Sequence, residues 1–269
     1  MKSAMPKVTK TTRTRTPGRY NIYLDDEFAF AVDEKVLIKY NLFPDTAFTP
    51  EEIEDIKAAE FEQKAYQTAL KYATGQMRTK MQVIMKLKEK GFPNQVIGQV
   101  ITRLEQANVL DDRLYAEMYV QSAMRSGKLG PKGVAQKLKQ MGVDHFLIED
   151  ALVQYPAEDQ ADVIDQQVEK LMAKYHNQSH FMAQRKTTQK LMQLGFEQRV
   201  IKRVLTQYLS DHPVDQDDEL EKLGNEADKV AARYQQYDGW DFKNKVKAAL
   251  YRKGYDLNRV DQWLKENPK

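Results

Sequence analysis

Cysteine is absent from the 269 residues, which excludes a disulfide framework and any thiolate chemistry. A reducing compartment suits such a chain. No apolar run approaches the roughly 18 residues that a membrane-spanning helix requires, and the basic N-terminus lacks the apolar stretch of a secretion signal. The expectation is a soluble, unexported, cytoplasmic protein with no membrane partner. Histidine is scarce, with four residues. His176 and His180, in HNQSH, would share a helix face at i and i+4, but the zinc-protease pattern needs glutamate after the first histidine and Asn177 stands there. His145 and His212 are isolated, there is no glycine-rich phosphate loop, and no nucleophile has a base beside it. The nearest thing to a carboxylate cluster, Asp215 to Glu219, falls in a segment that reads as a linker. No catalytic residue, cofactor or metal is therefore expected.

What is present is one phrase written four times. The copies are LKEKGFPNQVIGQVI, LKQMGVDHFLIEDAL, LMQLGFEQRVIKRVL and LYRKGYDLNRVDQWL, each with a leucine (Leu87, Leu138, Leu191, Leu250) four residues before a glycine (Gly91, Gly142, Gly195, Gly254). Phe92, Val143, Phe196 and Tyr255 follow the glycines, and Ile97, Ile148, Ile201 and Val260 open a second apolar helix. A near-period of about 50 residues in such register implies tandem helical units rather than one irregular globule. The glycine stops a helix by taking the left-handed conformation, and the residue after it folds back on the helix just ended. Upstream of each copy lies another amphipathic stretch, seen at Ala65, Ala69, Leu70 and Tyr72 and again at Tyr115, Ala116, Tyr119 and Val120, so each unit has three helices. A mean hydropathy of -0.71 with 30% charged residues suits a thin, elongated helical array.

The first 60 residues differ in kind. RYNIYLDDEFAFAV places Tyr20, Ile22 and Leu24 on one face of a strand and, beyond the Asp25-Asp26 turn, Phe28, Phe30 and Val32 on one face of its return. Lys7 to Thr14 adds a candidate third strand, Glu34 to Tyr40 a short helix, and Thr49, Pro50 and Glu52 a capping-box start to the helix that enters the repeats. The fold class is thus mainly α, with tandem three-helix repeats and a small N-terminal β-hairpin region. The divisions expected are 1–60 for the hairpin and helix cap, then repeats at 61–110, 111–157, 158–212 and 213–269. Acid-rich segments at Pro156 to Asp162 and Asp211 to Glu219 read as hinges or spacers. The net charge of +3 conceals segregation: Lys2, Lys7, Lys10, Arg13, Arg15 and Arg19 precede an acidic stretch, and residues 61–110 are basic again.

The wording YLDDEFAF, LDDRLYAEMYV at Leu110 to Val120, LGPKGVAQKLKQMGV at Leu129 to Val143 and the repeated turns of the KGF kind (KGF, MGV, LGF, KGY) resemble the RecX family, regulators of the RecA recombinase. The resemblance covers essentially the whole chain and is to the longer form, with a hairpin region and more than three repeats. It implies binding to the RecA nucleoprotein filament, lowered ATP hydrolysis and strand exchange, a place in recombination and DNA repair, and no catalysis. In the first unit Met77, Met81, Ile84 and Met85 give a wider apolar side than a purely basic surface would have, a stripe expected to pack on the N-terminal cap or on a partner.

The residues supply a mechanical reading of such a role. Pro131 opens a helix whose buried stripe is Val134, Leu138 and Met141, while Lys132, Gln136 and Lys139, with Lys137, project from the other side. With Arg125 and Lys128 in the preceding loop they form a candidate surface for phosphates or acidic side chains. Asp111 and Thr79 read as N-caps, and Arg78, beside Thr79, as an exposed contact residue. Tyr115 and Tyr119 admit two readings, stacking on a base or partner residue, or the core of their own repeat; helical spacing favours the core. A direct single-stranded or double-stranded DNA binder that competes for DNA, and a repeat scaffold for other partners, are the alternatives in function.

Overall fold

A computed structural model describes residues 5–267, and Lys2 of the basic N-terminal segment lies outside them. Three strands come first, β1 (Val8–Arg13), β2 (Arg19–Leu24) and β3 (Glu27–Asp33). Thirteen helices follow among the described residues. They are α1 (Glu34–Lys39), α2 (Pro50–Gly75), α3 (Lys80–Glu89), α4 (Asn94–Gln106), α5 (Asp112–Ser126), α6 (Pro131–Gln140), α7 (His145–Leu152), α8 (Ala157–Lys174), α9 (His180–Gln193), α10 (Gln198–Asp211), α11 (Gln216–Arg233), α12 (Gly239–Arg252) and α13 (Leu257–Glu266). The chain is mainly α, built of tandem three-helix domains behind a small antiparallel sheet. It forms two compact units, one running through Tyr115 with Met141–Asp144 added, the other made of Ala116–Gln140 and the chain from His145 onward.

In the first unit the sheet order is β1-β2-β3, so the hairpin and the added strand are both present. Asp25 and Asp26, at φ 48° and 71°, make a two-residue turn whose left-handed residues match the twist of the strands. The turn is tied to β1, because the Asp25 carboxylate accepts from Lys7 N at 3.0 Å and Asp26 N donates to Thr9 Oγ1 at 2.9 Å. Ile22 and Val32 are buried with Val8, Val36, Leu37, Leu42, Phe48 and Ile56, and Tyr20, Leu24 and Phe30 pack around them. Phe28 does not join them and is 59% exposed. A bulge pairs Ile22 with Phe30 but Tyr23 with Phe28, which breaks the alternation and turns Phe28 to the opposite face, its ring 5.9 Å from that of Tyr23. The expectation that Phe28, Phe30 and Val32 share a face is corrected at Phe28.

Thr49 caps α2 as its spacing predicts, with Glu52 N donating to Thr49 Oγ1 at 3.2 Å and Thr49 N to Glu52 Oε2 at 2.7 Å. The sheet is fastened to α2 by buried Asp33, whose carboxylate accepts from the side chains of Gln63 and Gln67. Arg103 of α4 donates in turn to Gln63 Oε1 at 3.2 Å. Such a network is stable because each buried polar member has a partner.

Each repeat's middle helix ends on the glycine read from the sequence, at φ 80°, 80°, 87° and 82° for Gly91, Gly142, Gly195 and Gly254. In three copies the next N–H returns to the carbonyl of the leucine four residues before the glycine, Phe92 to Leu87 at 3.1 Å, Phe196 to Leu191 at 3.2 Å and Tyr255 to Leu250 at 3.2 Å. This is the Schellman bond, and it gives the leucine two duties. Its side chain is buried in the core while its carbonyl closes the turn, and Leu87, Leu138, Leu191 and Leu250 are all fully buried. The middle helices come in two lengths, 10 residues in α3 and α6 and 14 in α9 and α12. The acid-rich segments read as hinges are helix starts instead. Pro156 is the N-cap of α8, with Glu158 and Asp159 in its first turn, and Asp215 caps α11 by accepting from Asp217 N at 2.9 Å and Asp218 N at 3.3 Å. Carboxylates gather there because the N-terminus of a helix carries partial positive charge.

The glycine turns have a second use. In the first unit Thr79, the N-cap of α3, donates Oγ1 to Met141 O at 2.6 Å, and a Cβ on Gly142 would lie well under 3.0 Å from the Met81 side chain. In the second unit Ser179, the N-cap of α9, donates to Lys253 O at 2.5 Å, and a Cβ on Gly254 would lie 2.7 Å from the Phe181 ring. At α6, Gly130 N donates to Leu194 O at 2.9 Å and Lys132 N to Gly195 O at 3.1 Å, and Gly133 and Gly195 meet backbone to backbone. The start of one middle helix therefore seats on the glycine turn of the next repeat, three times. A carboxylate from the next repeat completes two of these joints: Lys80 N donates to Asp112 Oδ1 at 2.9 Å, and His180 N to both oxygens of Glu219 at 3.1 Å. At the remaining joint the first helical residue is Pro131, which has no N–H to satisfy. The position matching Glu219, counted back from Gly195, there holds neutral Gln160, whose amide bonds Glu197 of its own repeat. Met81 thus rests on the turn of the following repeat and is nevertheless 45% exposed, with Met77 and Met85 at 46% and 61%.

Candidate partner-binding face

Helix α6 is positioned by both of its sides. Val134 and Leu138, one turn apart, are fully buried, and Met141 beyond them is partly buried. Lys132, Gln136 and Lys139 share the exposed side, as the 3.6-residue period requires, and Lys137 is exposed on the flank, about 140° round the helix from Lys132. Lys137 Nζ reaches Gln140 Oε1 at 3.5 Å. The loop before α6 is held at three points: Gly127 O accepts from Gln167 Nε2 at 3.2 Å, Leu129 O from the Tyr155 hydroxyl at 3.2 Å, and Gly130 N donates to Leu194 O. Burial pushes the Tyr155 hydroxyl up to about 12, so it keeps its proton and the bond at neutral pH. Lys128, exposed in the middle of this loop, is displayed on a fixed turn. Arg125 is exposed as well, but it belongs to the last turn of α5 and not to the loop in which it was expected. Among the described residues none of Arg125, Lys128, Lys132, Lys137 and Lys139 is in an ion pair. Five exposed cations in that state, close in sequence, are suited to polyanions or acidic side chains.

Arg78 and Tyr115 belong to the first unit. Arg78 was expected to be exposed; it is half-buried, with its guanidinium 4.5 Å above the Tyr72 ring. Its Nε is buried without a hydrogen-bond partner. The pull of the ring face holds it there. Tyr115 is half-buried, and its hydroxyl donates to Met141 Sδ at 3.2 Å, beside the Thr79 joint. Tyr119 is half-buried on the same helix. Asp111 caps α5 by accepting from Leu114 N at 3.0 Å, and Thr79 caps α3 in a capping box with Gln82. The next residue, Asp112, was passed over in the sequence. It is buried at the joint, and desolvation raises its carboxyl above the ordinary value against the opposing pull of the Lys80 N–H and ammonium.

His176 and His180 do not share a helix. His176 follows the end of α8, with Nδ1 2.8 Å from Ala173 O, and His180 is the first residue of α9. No group of three or more metal-ligating side chains is found among the described residues, and no helix there is long and apolar enough to cross a membrane.

Similarity to known proteins extends along most of the chain. Family profiles match residues 6–48 (regulatory protein RecX N-terminal domain), 65–104 (RecX, first three-helix domain) and 111–152 (RecX, second three-helix domain). The third three-helix domain profile matches twice, at 158–205 and 217–264. Regulatory protein RecX of Limosilactobacillus reuteri (strain DSM 20016) is 35% identical over 260 residues, covering 97% of this chain and 98% of the relative. The protein of the same name from Bacillus cytotoxicus is 33% identical over 265 residues, covering 97% of each. A crystal structure of regulatory protein RecX superposes with a TM-score of 0.67 at 34% identity, covering 74% of this chain and 98% of the other. That of RecX from Lactobacillus salivarius gives a TM-score of 0.52 at 31% identity over 55% of this chain and 97% of the other.

Proposed function

The chain belongs to the RecX family of regulatory proteins, and from that premise we propose that it is a non-enzymatic modulator of RecA that binds the RecA–DNA filament and lowers its ATP hydrolysis and strand exchange. Its work would lie in the cytoplasm, in the regulation of recombination and DNA repair. The observation that carries this reading is the α6 face, where Lys132, Lys137 and Lys139, with Arg125 and Lys128 beside them, stand exposed on elements pinned by hydrogen bonds. Arg78, Tyr115 and Tyr119 are secondary candidates, since each is half-buried. The repeat limits proposed for separate dissection are 61–110, 111–157, 158–212 and 213–269. Several modest contacts made by linked repeats add through effective concentration, so tight binding needs no deep pocket.

The test is ATP hydrolysis by RecA preassembled on single-stranded DNA, titrated with this protein. Inhibition well below one copy per RecA supports the proposal. The triple variant K132E/K137E/K139E, with helicity unchanged by circular dichroism, is expected to need at least about tenfold more protein for the same inhibition, or ~1.4 kcal/mol. Unchanged inhibition removes this face. The unpaired cations also support a second reading, direct binding to single-stranded or double-stranded DNA. That reading requires comparable affinity for bare DNA, falling steeply with salt, and anisotropy of labelled DNA alone separates the two.

A further inference from the structure

We propose that the start of α12, at Asp238 to Asp241, docks a second copy of this chain through the latter's Lys88–Phe92 turn. The joint described above recurs in register, and its two halves are each found once more, unfilled. The residue two beyond the N-cap of the middle helix is Met81, Lys132, Phe181 or Trp240 in the four repeats. Met81 and Phe181, still 45% and 56% exposed, press on Gly142 and Gly254, whereas Trp240 is 78% exposed and meets no glycine turn among those described. On the receiving side, Cβ positions built on Gly142, Gly195 and Gly254 run into the seated helix start, but one built on Gly91 meets nothing within 4 Å. Gly91 has the same left-handed backbone, φ 80°, and the same closure from Phe92 N to Leu87 O at 3.1 Å. A knob without a seat and a seat without a knob exist on one chain.

The charges around the two halves are opposite. Asp238, Gly239, Trp240 and Asp241 are exposed, and Asp238 makes no side-chain cap hydrogen bond. Thr79 and Ser179 offer a hydroxyl proton to the turn carbonyl, which an ionised aspartate does not have. The Gly91 turn compensates for that change, since Lys88 and Lys90 are exposed there and Glu89 is occupied by Lys86 at 2.9 Å. The two aspartates that flank the tryptophan are thereby matched to two lysines that lead into the turn. Neither of the two seated side-chain joints has this arrangement, so the complementarity favours the Gly91 turn over the turns at Gly142 and Gly254, and a second copy presents that turn whatever the reach of the chain's own. The contact is heterologous, each copy presenting one half to a different neighbour, and adds copies head to tail.

Sedimentation velocity from low to high micromolar protein tests this. The weight-average sedimentation coefficient is expected to rise with concentration and fall back with salt. Trp240→Ala is expected to weaken association at least about tenfold, the loss of a central aromatic anchor. K88E/K90E and D238K/D241K should each abolish it, and the four changes together in one chain should restore it. Because the chain has no cysteine, copies carrying W240C mixed with differently tagged copies carrying K90C should form the mixed disulfide, while W240C alone should not dimerise. A constant monomer mass across the range overturns the proposal, as does association that survives Trp240→Ala or a 240–240 cross-link in place of 240–90.

Discussion

The joint at Gly195 and the joint at Gly254 lie in the same unit and in the same register, yet one is made by backbone and the other by side chains. At Gly195 the opposing atoms belong to Lys132 and Gly133 main chain, and two backbone hydrogen bonds cross the contact. At Gly254 they are the Phe181 ring, Met182 Cγ and Ser179 Oγ, with the serine hydroxyl bonded to Lys253 O. Main chain has nowhere to go, whereas a ring or a thioether can rotate away. The first joint fixes position; the second supplies contact area that can repack.

The comparison can be broken at its hardest point first. Gly195→Ala places a methyl on a left-handed residue directly against backbone, and a loss of at least about 3 kcal/mol is expected in urea unfolding. Gly91→Ala has the same backbone conformation and open space, so it should lose only about 1 kcal/mol. Equal losses at the two sites would show that the backbone joint contributes nothing beyond φ. Ser179→Ala is expected to cost about 1 kcal/mol, because it removes both the cap on Met182 N and the donor to Lys253 O.

A finer comparison concerns the carboxylates that complete the side-chain joints. Burial holds the Asp112 carboxyl above its ordinary value, so over the window between the two values the folded chain keeps a proton that the unfolded chain has released. Stability therefore falls as pH rises through that window and is level above it. Asp112→Asn keeps an acceptor for Lys80 N and should remove this fall, giving a slightly higher urea midpoint at neutral pH. A midpoint that drops instead would mean that the ionised carboxylate, with Lys80 beside it, stabilises the joint.

Much of this was legible in the residues because it depends on local rules. Glycine four residues after a buried leucine, threonine three before glutamate and two aspartates between alternating apolar runs each name a turn or a cap whose energetics close within a few residues. The failures are of two sorts. Phe28 and the acid-rich segments were misread because alternation and acidity were taken without the bulge that flips a face, or the helix start that attracts carboxylates. Asp112 and the three joints were beyond reach because each depends on a partner tens of residues away, and Arg78 was misread because its ring partner, Tyr72, lies across the break between α2 and α3. Thr79 reads as a cap from its place before the helix at Lys80, but its bond to Met141 leaves no trace in the spacing. The α6 cations were legible as a surface, since an amphipathic period settles exposure; whether they meet phosphate or carboxylate is chemistry the period does not contain.

The two lengths of middle helix set a rule for how this kind of chain can grow. Helices of 14 and 10 residues differ by four, and four residues turn a helix by about 400°, only about 40° past a full revolution. The cap at one end and the glycine at the other keep nearly the same bearing, so both can still engage their neighbours. One inserted residue would swing the glycine by about 100° and take it off its neighbour's helix start. Insertions and deletions in these helices are thus absorbed in steps of a turn, much as a thread accepts whole pitches and rejects fractions of one.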